Sequence, residues 1–232
     1  MRAVKVAAPM SAHAGRMTTA SLQALEHLRD PHTLQWYVIP LLALVFHVYT
    51  TEIARARRSG DWNVVIAGLT LFGMDLCNET INGWILNLTQ RSALWTAPGP
   101  SALRTMVGWN IEIMFMFALA GIIFQNSRSR APRRLLGVPE AWLLAAGYSV
   151  LCVVVELVLN AGGLLVWEYA FWNASPAGVW LIFLLGYFHF YVAVILVTAM
   201  RSLRRKLVAV AAIYGVAVVL NVIGLGVLGW RY

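Results

Sequence analysis

Six long apolar stretches, separated by short polar or basic segments, follow one another along most of the chain. They cover Leu34–Ile53, Trp62–Leu88, Met106–Phe124, Ala141–Leu165, Gly178–Met200 and Leu207–Leu228. A helix needs about 20 apolar residues to cross the hydrocarbon layer of a bilayer. The pattern therefore predicts an all-α fold, a polytopic transmembrane bundle of about six spans.

The residues before the first stretch are more polar. Residues 1–32 predict an N-terminal tail, disordered to about Ser21 and then helical from about Leu22 to Arg29. The tail has no apolar run before a cleavage site, so it is not typical of a signal peptide. Residues 33–232 predict one transmembrane helical domain.

The composition supports a membrane protein rather than a soluble one. The 232 residues are 60% hydrophobic and 12% charged, whereas soluble domains carry about 25% charged residues. The net charge of +8 is concentrated in the loops after the first, third and fifth stretches. The positive-inside rule then predicts these loops in the cytoplasm and both termini outside. Such loop charge indicates a lipid bilayer as partner and no nucleic acid.

Acidic side chains within the spans are the most informative residues. They are Asp75, Glu79, Glu112 and Glu156, and no Lys or Arg lies inside a predicted span. A charge at the bilayer centre costs at least about 2.5–3.5 kcal/mol, so these acids are expected to face an enclosed interior. Low dielectric and neutral partners favour a carboxyl that keeps its proton. General-acid chemistry on a lipid-soluble substrate needs such a group. The alternative is that they join helices by hydrogen bonds.

The spacing of the polar residues places them on common helix faces. One face of the second span is predicted to carry Asp75, Asn78, Glu79 and Asn82, at i, i+3, i+4 and i+7. Glu156 and Asn160 lie one turn apart on the fourth span, and Trp109 lies one turn before Glu112. Three helices are therefore each predicted to direct an acid inward.

Aromatic residues suggest what the acids act on. Electron-rich ring faces stabilise cations, and the candidates for lining a pocket are Trp84, Trp109, Trp180 and Tyr187. Five tryptophans near span ends are interpreted as interfacial anchors without a functional role. They are Trp36, Trp62, Trp95, Trp142 and Trp230.

The remaining chemistry-bearing residues are isolated. His47 and His189 have no paired spacing, so the sequence predicts neither metal nor haem, although His189 is a candidate for lining a pocket. Cys77 and Cys152 belong to no spacing motif, so we interpret them as packing residues. Phosphate-binding loops and the Asp-rich motifs that bind diphosphates are absent, which favours proton-initiated chemistry without a cofactor.

The second-span stripe from Asp75 to Glu79, followed by Asn82, Gly83 and Trp84, resembles the emopamil-binding, sterol-isomerase family. That family has a His at the place of Asp75. Its next helix carries a second essential Glu, which this resemblance assigns to Glu112. The resemblance implies that two acids shuttle a proton across a double bond while a Trp and an amide stabilise the cation.

The small size and the isolated intramembrane acids also resemble the membrane-bound terpene cyclases, both the fungal meroterpenoid and indole-diterpene type and the actinobacterial indole-sesquiterpene type. These protonate an epoxide or alkene of a prenylated substrate. This chain departs from them in two places. The fifth span offers Tyr187 and His189 instead of an Asn-Ala-x-Trp element, and the sixth span lacks an acid. The Ala-, Val- and Arg-rich composition suggests a high-GC bacterium and its cytoplasmic membrane, which favours the cyclase.

The sequence thus predicts a membrane terpenoid cyclase that protonates an alkene or epoxide of a lipophilic small molecule. Glu79 is the predicted general acid, Asp75 its relay, and Glu112 the second acid or base, with Glu156 and Asn160 as orienting groups. The predicted substrate contacts are Asn78, Asn82, Trp84, Trp109, Asn160, Trp180, Tyr187 and His189. The alternatives are a sterol-type double-bond isomerase, a small proton-coupled lipid or drug transporter, and a non-catalytic lipid-binding protein.

Overall fold

The computed structural model describes residues 17–129, 131 and 133–232, and it confirms an all-α polytopic helical bundle. The helices are α1 (Thr19–Glu26), α2 (Val38–Ser59), α3 (Asn63–Thr89), α4 (Ile111–Ser127), α5 (Glu140–Ala161), α6 (Pro176–Leu181), α7 (His189–Thr198) and α8 (Leu203–Asn221). A 3-10 turn covers Pro31–Thr33, and π-helical segments cover Ile182–Phe188 and Val222–Val227. The part of the predicted tail before Met17 lies outside the described residues.

Three short antiparallel strand pairs lie in the loops between the helices. The strands are β1 (Trp95–Thr96), β2 (Arg104–Met106), β3 (Trp109–Asn110), β4 (Arg134–Leu135), β5 (Val138–Pro139) and β6 (Val166–Trp167). Strands β2 and β3 form a hairpin, as do β4 and β5. The antiparallel pair of β1 with β6 joins the loop after α3 to the loop after α5, with Trp95 opposite Trp167.

Within the described residues, five helical stretches are long and apolar enough to cross a membrane: Val38–Ser59, Asn63–Thr89, Glu140–Ala161, Pro176–Thr198 and Leu203–Val227. The remaining predicted span, the third, corresponds to α4, which has 17 residues. That length is at the lower end of the range for a transmembrane helix.

The start of the third span was predicted wrongly at Met106, because the residues before α4 form the β2–β3 hairpin. The side chain of Asn110 accepts a hydrogen bond from the backbone N–H of Ile113 at 2.9 Å and so caps the helix. A capping Asn satisfies a backbone donor that has no partner within the helix. The helix therefore begins one residue later, at Ile111.

The fifth span is interrupted rather than regular. Residues Ile182–Phe188 form the π-helical segment between α6 and α7. A π-helical turn is wider than an α-helical turn and often occurs at functional sites. It changes the angular spacing along the span, and it frees the carbonyl of Leu185, which accepts a hydrogen bond from the Asn78 side chain at 3.0 Å.

Helix α3 is the central helix of the bundle. Its most apolar window is 56% buried, whereas the other spans are between 11% and 39% buried. It packs against α4, α7 and α8. Side chains on α3 therefore face protein on most sides, which explains how this helix holds acids and amides at membrane depth.

Helices α3 and α4 approach closely at a glycine. A Cβ added at Gly121 would overlap the backbone carbonyl of Ala67 and come within 2.9 Å of the Cα of Gly68. Small residues at such crossings let membrane helices pack backbone to backbone. The backbone of α3 cannot move away without moving the acids that it carries.

Substituting this glycine is expected to destabilise the bundle. We expect Gly121→Ala to lower the free energy of unfolding by about 1–3 kcal/mol, because the methyl group overpacks the crossing. Gly147→Ala on α5 is the matched control, since nothing lies within 4 Å of its added Cβ. It should be neutral or stabilise the protein by up to about 1 kcal/mol. Thermal unfolding in detergent measures both, and equal midpoints would contradict the close packing.

Candidate functional site

A small cavity lies between α3, α4, α5 and the π-helical segment, and it has a volume of about 40 Å³. Its polar lining consists of Asp75, Asn78, Glu79 and Glu156. Its aromatic lining consists of Trp95, Phe117, Trp172, Tyr187 and Phe190. A water molecule occupies about 30 Å³ in the liquid, so the space holds a small group but not a whole terpenoid.

Three acids converge on this cavity from two helices. Asp75 and Glu79 come from α3 and Glu156 from α5, and all three side chains are buried. One carboxylate oxygen of each has no hydrogen-bond partner. None of the lining residues is Lys or Arg. Each buried oxygen without a partner is costly, which makes this cluster the strongest candidate site in the described part of the chain.

Glu79 is positioned by the loop that follows α3. The indole N–H of Trp95 donates to Glu79 Oε1 at 2.6 Å. The fully buried Asn82 holds that loop: its amide donates to the Trp95 carbonyl at 2.8 Å and its oxygen accepts from the backbone N–H of Leu94 at 2.8 Å. Asn82 therefore positions Glu79 by fixing the tryptophan that contacts it; its side chain also lies next to Glu79 but does not line the cavity.

Aromatic rings enclose the acids on the side away from α3. Trp95 and Trp172 stack with centroids 5.6 Å apart and planes at 29°. Phe117 stacks on Tyr187 at 6.2 Å with planes at 10° and meets Phe190 edge-on at 6.0 Å. Ring faces of this kind stabilise a positive charge that develops between them.

Further donors without partners lie beside the acids. The indole of Trp109 lies next to Asp75, and Trp167 and Tyr187 lie next to Glu156. The indole N–H groups of Trp109 and Trp167 have no acceptor, as is also the case for Trp172. The cavity thus combines free donors and free acceptors, which a bound group with polar atoms would satisfy.

Glu112 lies away from this cavity, contrary to the sequence-based expectation that it shares a pocket with Glu79. Its carboxylate accepts from the Tyr37 hydroxyl at 2.5 Å, the Ser101 hydroxyl at 2.9 Å and the backbone N–H of Ala102 at 2.9 Å. Arg104 is a nearby counter-charge: burial lowers the pKa of this guanidinium, and the Glu112 carboxylate opposes that shift. Glu112 joins the start of α4 to α2 and to the preceding loop.

A larger cleft of about 270 Å³ adjoins the acid cavity. Ile113 and Leu165 line both spaces and form the partition between them. The cleft is mostly apolar, with Pro100, Met116 and Leu164 among its lining residues, and Glu112 borders it as its one acidic residue. Together the two spaces reach the lower limit for pockets that bind drug-sized ligands, about 300 Å³.

Besides Asn82 and Trp109, four further predicted contacts lie outside the cavity. Trp84 packs edge-on against Trp230 at 5.0 Å, because five residues after Glu79 a helix presents a different face. Trp180 is 63% exposed, because the π-helical segment changes the angular spacing between it and Tyr187. The Asn160 amide donates to the Leu165 carbonyl at 2.9 Å and stabilises the turn after α5.

His189 is the fourth of these residues, and its Nδ1 lies 3.2 Å from the carbonyl oxygen of Leu184. This carbonyl belongs to the π-helical segment, so the imidazole stabilises the irregular backbone instead of lining the cavity. Within residues 17–129, 131 and 133–232, no group of three His, Cys, Asp or Glu side chains is arranged to hold a metal ion.

Several lining residues had no sequence signal for this role. The interpretation of Trp95 as a membrane-interface anchor was wrong, because β1 turns it back toward Glu79. Trp172 lies in the segment between α5 and α6, where nothing in the spacing points inward. Phe117 was missed because Glu112 was taken to mark the inward face of its helix, and five residues after Glu112 a helix faces a different direction.

A polar vestibule of about 920 Å³ opens at the opposite end of the bundle, where the basic loops lie. It is bounded by the ends of α2 and α4, with Arg55, Arg128 and Ser129 in its lining. The buried Glu52 accepts a hydrogen bond from Arg55 at 2.6 Å. Glu52 lies near the end of the first predicted span, and the sequence analysis did not single it out.

Comparison with known proteins identifies relatives but no activity. Residues 18–226 match a family described as an uncharacterized membrane protein family. A protein from Archaeoglobus fulgidus, described as an uncharacterized protein, is 36% identical over 214 residues, which cover 92% of this chain and 99% of that protein. No solved structure matches the chain.

Proposed function

The chain belongs to this uncharacterized membrane protein family, and we propose that it is an enzyme that protonates an alkene or epoxide of a lipophilic isoprenoid and so starts cyclisation or isomerisation. The observation that carries the proposal is the convergence of Asp75, Glu79 and Glu156 on one cavity enclosed by aromatic rings. A carboxyl that keeps its proton avoids the cost of a buried charge. It is also able to donate that proton to a carbon–carbon double bond.

Glu79 is the proposed general acid. Its Oε1 accepts the Trp95 indole N–H, while its Oε2 has no partner and lies in the cavity wall. When the proton leaves, the indole N–H stabilises the carboxylate that forms. Glu156 replaces Glu112 as the second acid, because it shares the cavity and Glu112 does not.

The two volumes suggest how a substrate is held. The acid cavity admits only the reacting group, whereas the adjoining cleft has room for an apolar chain. We therefore propose a linear substrate whose terminal double bond or epoxide enters between Ile113 and Leu165. The chain then lies in the cleft, and no cofactor takes part in the reaction.

Incorporation of deuterium tests this function. The full chain in proteoliposomes is incubated in D2O with polyprenyl alcohols and their terminal epoxides, and the products are analysed by mass spectrometry. Protonation of an alkene adds a solvent deuteron to carbon, so products of the polyprenyl alcohols should carry one deuterium that does not wash out. Protonation of an epoxide leaves the deuteron on an exchangeable hydroxyl, so reaction of the epoxides is detected as conversion to isomers of changed chromatographic retention. Folded protein that neither deuterates an alkene nor converts an epoxide of this panel above the level of empty liposomes would count against the proposal.

The hydrogen bond from Trp95 offers a more local test. We expect Trp95→Phe to lower turnover by about a hundredfold, because the ring remains but the donor that stabilises the Glu79 carboxylate is lost. Trp172→Phe is the matched control, since its ring stacks on Trp95 and lines the same cavity but its indole N–H makes no hydrogen bond to Glu79. Equal effects of the two substitutions on the rate of deuterium incorporation would contradict the role of this donor.

A proton-coupled carrier is the second candidate, favoured by the vestibule of about 920 Å³ on the side opposite the cleft. A carrier moves its substrate unchanged, so it would accumulate the prenyl compounds in the proteoliposomes without deuterium in carbon-bound positions. A bacterial cytoplasmic membrane remains a prediction from composition, and the relative reported above is archaeal.

A further inference from the structure

We propose that a column of hydroxyl and thiol groups conducts protons between the basic-end vestibule and the buried acids. The column consists of Ser127, Tyr148, Tyr191, Cys152 and Glu156. Its purpose rests on the proposed function, since an acid that protonates a substrate must regain its proton. Its existence is a separate physical question that needs no substrate.

Helix α5 supplies the main part of the column. Tyr148, Cys152 and Glu156 are spaced at i, i+4 and i+8, so they lie on one face of this helix. Eight residues rise about 12 Å along a helix. The stripe therefore extends from Glu156 in the acid cavity toward the basic end of the bundle.

Polar contacts are present at two points of the column, and ring packing joins its members at a third. The hydroxyl oxygens of Ser127 and Tyr148 are 2.7 Å apart. The Cys152 sulfur lies 3.6 Å from the Tyr191 hydroxyl. The rings of Tyr148 and Tyr191 have centroids 5.8 Å apart and planes at 40°, so the two phenols adjoin across α5 and α7.

Phe124 fixes the two tyrosines in this arrangement. Its ring meets that of Tyr148 edge-on at 5.7 Å and that of Tyr191 at 4.9 Å. Phe124 and Tyr191 are almost fully buried. Packing on both rings holds the two hydroxyl-bearing side chains in place, although nothing in a purely apolar core would require hydroxyls there.

One end of the column lies at the polar vestibule, and the other end lies at the acid cavity. Ser127 is exposed at the end of α4, directly before Arg128 and Ser129, which line the vestibule. Glu156 lines the acid cavity. The route therefore begins at the end of the bundle with the basic loops and ends at the proposed chemistry.

The chemistry of each group suits proton transfer. Hydroxyl and thiol groups donate one hydrogen bond and also accept, unlike ammonium or guanidinium groups, which only donate. After Glu156 has passed a proton to the Glu79 carboxylate in the same cavity, Cys152 or an intervening water passes one to Glu156 and takes another from Tyr191. Each member ends as it began: one proton enters from the vestibule for each proton given to the substrate, and the proton that the product cation loses returns along the same groups.

Exchange of the two thiols with D2O tests the column. The full chain in proteoliposomes is transferred into D2O, and the S–H stretching bands are followed by infrared spectroscopy. Cys152→Ala and Cys77→Ala assign the bands. Cys77 is the internal control, because it lies on α3 and donates to the Ile213 carbonyl at 3.3 Å, away from the column.

We expect Tyr148→Phe to slow S–H exchange at Cys152 by about tenfold or more, since a hydroxyl is lost from the route. Exchange at Cys77 should be unchanged. Tyr191→Phe should act in the same way, and Ser127→Ala, at an exposed site, gives a test that does not depend on core packing. Tyr214→Phe, whose hydroxyl bonds to the Leu69 carbonyl instead, should leave Cys152 unaffected.

Two results would overturn the column. One is an unchanged Cys152 rate in both Ser127→Ala and Tyr191→Phe. The other is equal slowing of Cys77 and Cys152, which would indicate a general loss of water access. Because no substrate is present, failure of this test leaves deuterium incorporation into prenyl compounds as an independent measure of the proposed function.

Discussion

Glu79→Gln is expected to lower deuterium incorporation by about 10²–10⁴-fold, the usual contribution of a general acid. Glutamine keeps the shape of the side chain and an oxygen that accepts from the Trp95 indole N–H. It has no proton that an alkene or epoxide could take. The protein should therefore stay folded, with the same unfolding midpoint within about 1 kcal/mol, while turnover disappears.

The acids around Glu79 provide the comparison. Asp75→Asn and Glu156→Gln should also reduce turnover, because both side chains line the same cavity. Glu112→Gln is the comparison: it is an intramembrane acid that borders the adjoining cleft, but its carboxylate is occupied by Tyr37, Ser101 and Ala102, so its substitution should keep turnover at saturating substrate. Full activity of Glu79→Gln, or loss of catalysis on Glu112→Gln in protein that remains folded, would contradict the assignment.

In the candidate site, the side-chain directions that could be predicted from the sequence are those set by the periodicity of a single helix. Asp75 and Glu79 were placed on one inward face of α3 from their spacing, and both line the cavity. The same argument placed Glu156 inward on α5. In each case a charge at membrane depth has to face protein, so the cost of burial and the helical period together determine the direction of the side chain.

The environment of Glu112 could not be predicted from helical spacing. It lies in the first turn of α4, and Asn110 caps that helix. An acid at a helix N-terminus is close to backbone N–H groups and to the preceding loop. The loop satisfies its carboxylate with a hydroxyl and a backbone N–H, so the residue has no need of the cavity. Helical spacing carries no information on the path of that loop.

The positions of the two loop tryptophans, Trp95 and Trp172, could not be predicted from the sequence for a related reason. Trp95 reaches Glu79 because β1 pairs with β6, which belongs to the loop after α5. Trp172 then stacks on Trp95. Such pairing joins segments that are about seventy residues apart, and a two-residue strand has no alternation that could reveal it. Position near a span end suggested an interfacial anchor instead.

The π-helical segment had a similar effect on the fifth span. The prediction that Trp180 and Tyr187 both line a pocket assumed regular α-helical spacing between them. In the structure Tyr187 lines the cavity while Trp180 points outward. One irregular turn is enough to separate two residues that a regular helix would place on one face.

Asn82→Ala is expected to destabilise the protein by about 3–5 kcal/mol, because it leaves buried backbone groups of Leu94 and Trp95 without partners. The amide of Asn82 is fully buried and bonds to both residues. Asn87→Ala is the matched control on the same helix. Its amide bonds to the Gly83 and Arg231 carbonyls in a partly exposed position, so its loss should cost only about 1 kcal/mol.

The two variants also separate stability from catalysis. Because Asn82 holds the segment that presents Trp95 to Glu79, the folded fraction of Asn82→Ala should lose turnover to about the extent of Trp95→Phe. Asn87→Ala should keep full turnover per folded molecule. Chemical unfolding in detergent gives the stabilities, and deuterium incorporation gives the rates. If Asn82→Ala unfolds at the same denaturant concentration as the wild type, then this loop does not depend on Asn82, and the positioning of Glu79 through Trp95 requires another explanation.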